Sequence, residues 1–118
     1  MRCFFYHTKI IVKKYKADEF IGCMRALLSE FRKEKECLSY SLCRDIEKED
    51  TYSVVAEWQT RKAMEKHFQT LDFEVFIGAA RVLGDAFEMN LAEVLETGGF
   101  MLAREQIASQ QRGSAAAD

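Results

Sequence analysis

The run Glu36-Cys37-Leu38-Ser39-Tyr40-Ser41-Leu42-Cys43-Arg44, followed a few residues later by Tyr52-Ser53-Val54-Val55-Ala56-Glu57-Trp58, decides the fold. In the first run Leu38, Tyr40 and Leu42 alternate with Cys37, Ser39, Ser41 and Cys43, the two-residue period of a strand with one buried face. The second run is rich in β-branched and aromatic residues, as strands are. Between them Asp45-Ile46-Glu47-Lys48-Glu49-Asp50 is almost entirely charged and reads as a solvated turn. The two runs together predict a β-hairpin.

Upstream, Cys3 to Lys13 predicts another strand, apolar on both parities: Tyr6, Ile10 and Val12 on one, Phe5 and Ile11 on the other. A strand apolar on both sides is usually covered on both sides. Asp18 is placed to cap a helix with Glu19 in its first turn. Phe20, Ile21, Met24, Leu27, Leu28 and Phe31 then recur at helical spacing, and Arg32 and Lys33 close the last turn.

Downstream of the hairpin, Thr60 can cap a helix that turns Ala63, Met64, His67 and Phe68 inward. Thr70 can cap a second piece, with Asp72 and Glu74 in its first turn and Phe73, Phe76, Ile77, Ala80 and Leu83 as its stripe. Two cap signals so close together predict a bend. Ala86 to Leu95 alternates as a last strand, and Gly98-Gly99 breaks the pattern. Phe100 to Arg112 suits one more helix, and Gly113 to Asp118 is expected to fray.

The order βαββαβ is ferredoxin-like: an α+β fold with one antiparallel sheet and both helices on one face. Residues 1–97 are expected to form this domain and 98–118 a tail. The other face of the sheet lacks cover, and a second copy is the simplest source of it. A twofold homodimer joined through sheet faces is therefore expected.

With 118 residues, 48% of them apolar, the chain suits one compact domain and is too apolar to be disordered. Lys and Arg number 17 against 19 Asp and Glu, and no basic block stands out, which speaks against a nucleic-acid partner. No apolar run approaches the roughly 18 residues of a membrane span, and the N-terminus does not read as a signal peptide. Cys3, Cys23, Cys37 and Cys43 form no C-x-x-C and the two histidines sit far from any Cys pair, so zinc spacing is missing and reduced thiols in a cytoplasmic protein are expected. Phosphate-loop, dinucleotide, hydrolase-elbow and H-E-x-x-H motifs are absent, so no cofactor and no metal is expected.

Few residues are left to carry chemistry. His67 lies on an apolar helix stripe, where desolvation lowers an imidazole pKa and gives a neutral base near pH 7; a core histidine bonded to some backbone acceptor would fit the same pattern. Trp58 can wall a flat pocket and donate its indole N–H, or simply pack. Tyr40 and Tyr52 add phenols on neighbouring strands. Glu57 has the opposite parity from Trp58. Arg81 could reach an anionic substrate group or form a surface ion pair. His7 carries no assigned role.

Cys37-Leu38-Ser39-Tyr40-Ser41-Leu42, the strand ending Glu57-Trp58, Ala63-Met64-Glu65-Lys66-His67 and Thr70-Leu71-Asp72-Phe73 together resemble the antibiotic biosynthesis monooxygenase family over roughly Ile10 to Val94. The resemblance implies dimeric α/β barrels with a pocket between sheet and helices in each subunit. It matches Trp58 and His67 to the family's pocket-side tryptophan and first helix histidine, and Tyr40 to its strand tyrosine. Glu36 stands where a glycine is common, and Asp72 replaces a frequent second histidine. Ile77 or Ala80 stands where haem-degrading relatives carry their axial histidine, which disfavours haem degradation.

The function so implied is oxidation of a small phenol or quinol by dioxygen without a cofactor. His67 would be base or proton shuttle with Trp58 and Tyr40 beside it, and Tyr52, Phe73, Ile77 and Arg81 would contact substrate. Two alternatives remain open: a non-catalytic ligand-binding homodimer of the same fold, and an isomerase of small molecules with Arg81 and Lys66 as its anion site.

Overall fold

The computed structural model describes residues 3–117, with side chains described to residue 109. Four strands, β1 (Cys3–Val12), β2 (Cys37–Arg44), β3 (Thr51–Trp58) and β4 (Gly84–Val94), form one antiparallel sheet in the order β2-β3-β1-β4. Helices α1 (Ala17–Phe31), α2 (Arg61–Phe68) and α3 (Leu71–Leu83) complete the expected ferredoxin-like α+β pattern, and α4 (Phe100–Ala117) follows. The side chains at the end of α4, and residue 118, where fraying was expected, lie outside the described residues.

Register shows which side chains share the helix face. Tyr6 of β1 stands between Ala56 of β3 and Leu91 of β4, and Ile10 stands between Tyr52 and Phe87. On β2, Tyr40 pairs with Ala56, Leu42 with Val54 and Arg44 with Tyr52. The core lies between this face and the helices, filled by Tyr6, Ile10, Phe20, Met24, Phe31, Val54, Trp58 and Phe76, all fully enclosed.

Three local features depart from the sequence expectation. Helix α1 begins at Ala17 with Lys16 as an N-cap that makes no side-chain cap, rather than at Asp18. A turn bond from Lys16 N–H to Lys13 C=O carries the chain into the helix two residues early, leaving Asp18 in the first turn, where its charge still suits the helix dipole. In β2 the register jumps from Cys37 opposite Trp58 to Ser39 opposite Glu57, so Leu38 is the extra residue of a bulge and is 51% exposed. Leu38 therefore does not share the buried stripe with Tyr40 and Leu42, because a bulge resets the alternation, and Cys37 packs against the core instead. Finally, β4 starts at Gly84 rather than Ala86. A Cβ at Gly84 would lie 2.5 Å from the Ala80 carbonyl oxygen, so only glycine lets α3 turn directly into the strand.

The bend between α2 and α3 falls where two threonines predict it. Thr60 Oγ1 accepts from Ala63 N–H and Thr70 Oγ1 from Phe73 N–H, both at 3.1 Å. The charged hairpin turn is also as expected: Asp45 Oδ1 accepts from the N–H groups of Glu47 and Lys48.

The face away from the helices is mixed. Phe5 pairs with Glu57 and Ala92, His7 with Val55 and Asn90, and Lys9 with Ser53 and Glu88. On the helix side of the edge strand β4, Phe87 and Leu91 are exposed. No helix among the described residues is long and apolar enough to cross a membrane.

Candidate functional site

His67 is held at the centre of an aromatic box. Helix α2 places Ala63, Met64 and His67 inward, and the Thr70 hydroxyl donates to the His67 carbonyl at 2.8 Å, fixing the end of the helix. The imidazole is fully buried. Its ring centroid lies 4.6 Å from Trp58, 4.7 Å from Phe31 and 5.2 Å from Phe73. Trp58 arrives from the end of β3, Phe31 from the end of α1 and Phe73 from the first turn of α3, so several elements converge on one ring.

Both ring nitrogens are engaged. Nδ1 lies 2.7 Å from Glu34 Oε2, and Nε2 lies 3.0 Å from the hydroxyls of both Tyr6 and Tyr40. Burial pushes the His67 pKa down to about 4. The Glu34 carboxylate pulls the other way, but the ring has no exposed surface while 27% of the Glu34 side chain meets solvent, so desolvation wins and the ring is neutral at pH 7. Burial, and then the charge of Asp72, raise the Glu34 pKa. Burial holds the Tyr40 phenol far above its ordinary range, so it remains a donor. These states assign the tautomer: Nδ1–H donates to Glu34, and Nε2 accepts from the phenols.

One donor beside this cluster lacks a protein acceptor. The Trp58 indole N–H is buried and makes no hydrogen bond among the described residues, and such a donor costs about 1–3 kcal/mol unless something pairs with it.

The model of the antibiotic biosynthesis monooxygenase family matches residues 4–79, well over half of the chain. The chain belongs to the antibiotic biosynthesis monooxygenase family. An uncharacterized protein of Synechocystis is 30% identical over 89 residues, which is 75% of this chain but only 60% of that relative's length. Among solved structures, SnoaB, a cofactor-independent oxygenase from Streptomyces nogalater (the N63A mutant), superposes with a TM-score of 0.72 at 20% identity, covering 80% of this chain and 95% of that one. A conserved protein from Methanosarcina mazei gives 0.73 at 22% identity, covering 78% and 92%. At these identities the structural likeness establishes the fold.

Within this family fold, the structure brings four of the sequence candidates together: His67, Trp58, Tyr40 and Phe73. Ile77 packs half-buried against the core one turn beyond Phe73. Tyr52 packs instead on Phe20, with ring centroids 5.4 Å apart, and lines a separate cavity beneath α1. Arg81 is exposed in the last turn of α3, and Lys66 is exposed on α2. Glu57 faces away from the helices, as its parity against Trp58 requires.

Sequence reasoning missed Tyr6 and Glu34. Tyr6 carries a usable signal: a phenol on the buried parity of a central strand must find a hydrogen-bond partner. Glu34 carries none, because it sits in the turn after α1 and meets a ring 33 positions away. Among the described residues no cluster of three or more His, Cys, Asp or Glu side chains is arranged to hold a metal ion.

Proposed function

We propose that this chain is a cofactor-independent monooxygenase acting on a small phenol or quinol. The observation that carries the reading is the neutral His67, oriented by Glu34 at Nδ1 and holding phenolic oxygens at Nε2. A nitrogen that accepts from the Tyr6 and Tyr40 hydroxyls has the geometry to accept from a substrate phenol that displaces one of them. Loss of that proton makes an electron-rich phenolate that reduces dioxygen, and a carbon–oxygen bond then forms at the ring. Collapse of the resulting hydroperoxide leaves one oxygen atom in a quinone carbonyl and releases the other as water, the proton returning from His67. In this reading Trp58 supplies a free N–H to the oxygenated ring, Tyr40 orients it, and Phe73 and Ile77 wall it.

Oxygen uptake by the metal-free protein with reduced hydroquinones is the test. Turnover that disappears in His67→Ala supports the reading, and equal rates for the two proteins refute it. A second reading is favoured by the complete burial of His67 and the engagement of both its nitrogens: a non-catalytic dimer in which the histidine is structural. It predicts that His67→Ala lowers stability with no activity to lose. We further propose a homodimer through the sheet faces, with Phe5, Ile11 and Val55 at its centre. Sedimentation at micromolar concentration checks it, and a single folded copy would rule it out.

A further inference from the structure

On the helix side of the sheet, at its β2 edge, a cavity of about 550 Å³ lies between α1 and the β2–β3 hairpin. One stripe of α1 supplies Arg25 and Leu28, and the C-cap residue Arg32 continues the same face. The sheet supplies Leu42, Arg44 and the ring of Tyr52, and Arg44 and Tyr52 are directly paired across the hairpin. The lining therefore holds three guanidinium groups and no carboxylate.

That grouping is unexpected in a chain of net charge −2. Some surface cations here find partners: Lys16 pairs with Glu19, Lys33 with Glu30 and Arg61 with Glu65. Among the described residues Arg25 and Arg44 have no hydrogen-bond or ion-pair partner, and Arg32 uses only Nε, which donates to the Tyr40 carbonyl at 3.0 Å. Like charges gathered without counter-charge repel one another, and an anion seated among them relieves that repulsion. Guanidinium forks match anions carrying two or more oxygens, and the apolar side chains beside them suit a hydrophobic body.

We propose that this groove binds a small organic dianion with an apolar body, of the phosphomonoester class, at a site separate from His67. Phenyl phosphate is the probe, titrated calorimetrically at low salt, with inorganic phosphate, benzoate and phenol as comparisons. Phenyl phosphate is expected to bind at one site per chain and more tightly than all three. Arg25→Gln and Arg44→Gln are each expected to weaken it roughly tenfold, as loss of a charge-assisted hydrogen bond does. Added salt should weaken it further, since the groove is open to solvent. Both arginines are exposed and unpaired, so the variants should melt with the parent protein. His67→Gln should leave the affinity unchanged, which separates this site from the proposed oxidation site. Failure to saturate at millimolar phenyl phosphate, affinity no better than that of any comparison ligand, or unchanged affinity in the Arg25→Gln/Arg44→Gln double variant would each overturn the proposal.

Discussion

Two regions on the same face of the sheet treat polar groups in opposite ways, and Tyr40 belongs to both. Its hydroxyl meets His67 inside the aromatic box, while its carbonyl accepts from Arg32 at the edge of the arginine groove. In the box, the imidazole is fully buried and each of its nitrogens is matched to an oxygen, because an unmatched polar atom there is expensive. In the groove, water solvates the guanidinium groups and screens, without removing, the repulsion among three cations that have no carboxylate in the lining. Apart from the Trp58 indole N–H, the buried region spends its hydrogen-bonding capacity on itself. The exposed one keeps most of it available for a ligand. Stability should therefore respond to substitutions in the box, and ligand affinity to substitutions in the groove.

The largest effect expected is at the centre of the box. His67→Ala removes a fully buried ring and strands the Tyr6 and Tyr40 hydroxyls, so a loss of about 3–5 kcal/mol in unfolding free energy is expected by chemical denaturation. A loss below about 1 kcal/mol would break the contrast between the two regions.

Acid should act next, through the same ring. In the folded chain burial holds the His67 pKa at about 4, against an ordinary 6.5. Above 6.5 neither state binds the proton and the stability is full. Between 6.5 and about 4 the unfolded chain is protonated while the folded chain is not, so stability falls with pH, by at most roughly 3 kcal/mol. Glu34 works the other way: its raised carboxyl pKa favours the folded state as the pH drops, and so blunts the loss. Unfolding curves across this window should slope for the parent protein and flatten for His67→Gln.

Smaller effects divide the two phenols. Tyr6→Phe and Tyr40→Phe should each cost about 1 kcal/mol, because the remaining hydroxyl still holds Nε2. The double variant leaves Nε2 without a donor and should cost more than the two together, a coupling that a double-mutant cycle measures directly. Simple additivity would mean that the phenols do not share the nitrogen.

The contrast also explains what could be read without coordinates. The helices, the hairpin and the inward placing of His67 follow from periodicity and threonine caps, which act within a few residues. Trp58 and Tyr40 follow from strand parity together with family resemblance. Leu38 was misplaced because a bulge shifts parity by one residue and leaves no periodic trace. Glu34 and the arginine groove escaped notice for a shared reason. Each depends on packing between elements distant in sequence, the turn after α1 against α2 for Glu34 and α1 against the hairpin for the groove, and neither Arg25 nor Arg44 stands out among the other charged residues of a nearly balanced chain.

The smallest effect concerns the entry to β2, which feeds both regions. Glu36 has φ 67°, in the left-handed region where a Cβ crowds the following carbonyl and glycine is favoured. Its carbonyl accepts from Gln59 N–H at 2.9 Å, so the neighbouring chain holds this conformation in place. Glu36→Gly removes the steric cost but loosens the unfolded chain, two opposing terms whose balance should favour the variant by about 0.5–1 kcal/mol. Because the backbone path is unchanged, the Tyr40 hydroxyl and carbonyl keep their partners. Phenyl phosphate affinity and the acid slope of stability should then match the parent protein while the melting temperature rises. If either moves with the substitution, the bulged start of β2 couples the box to the groove, and their independence fails.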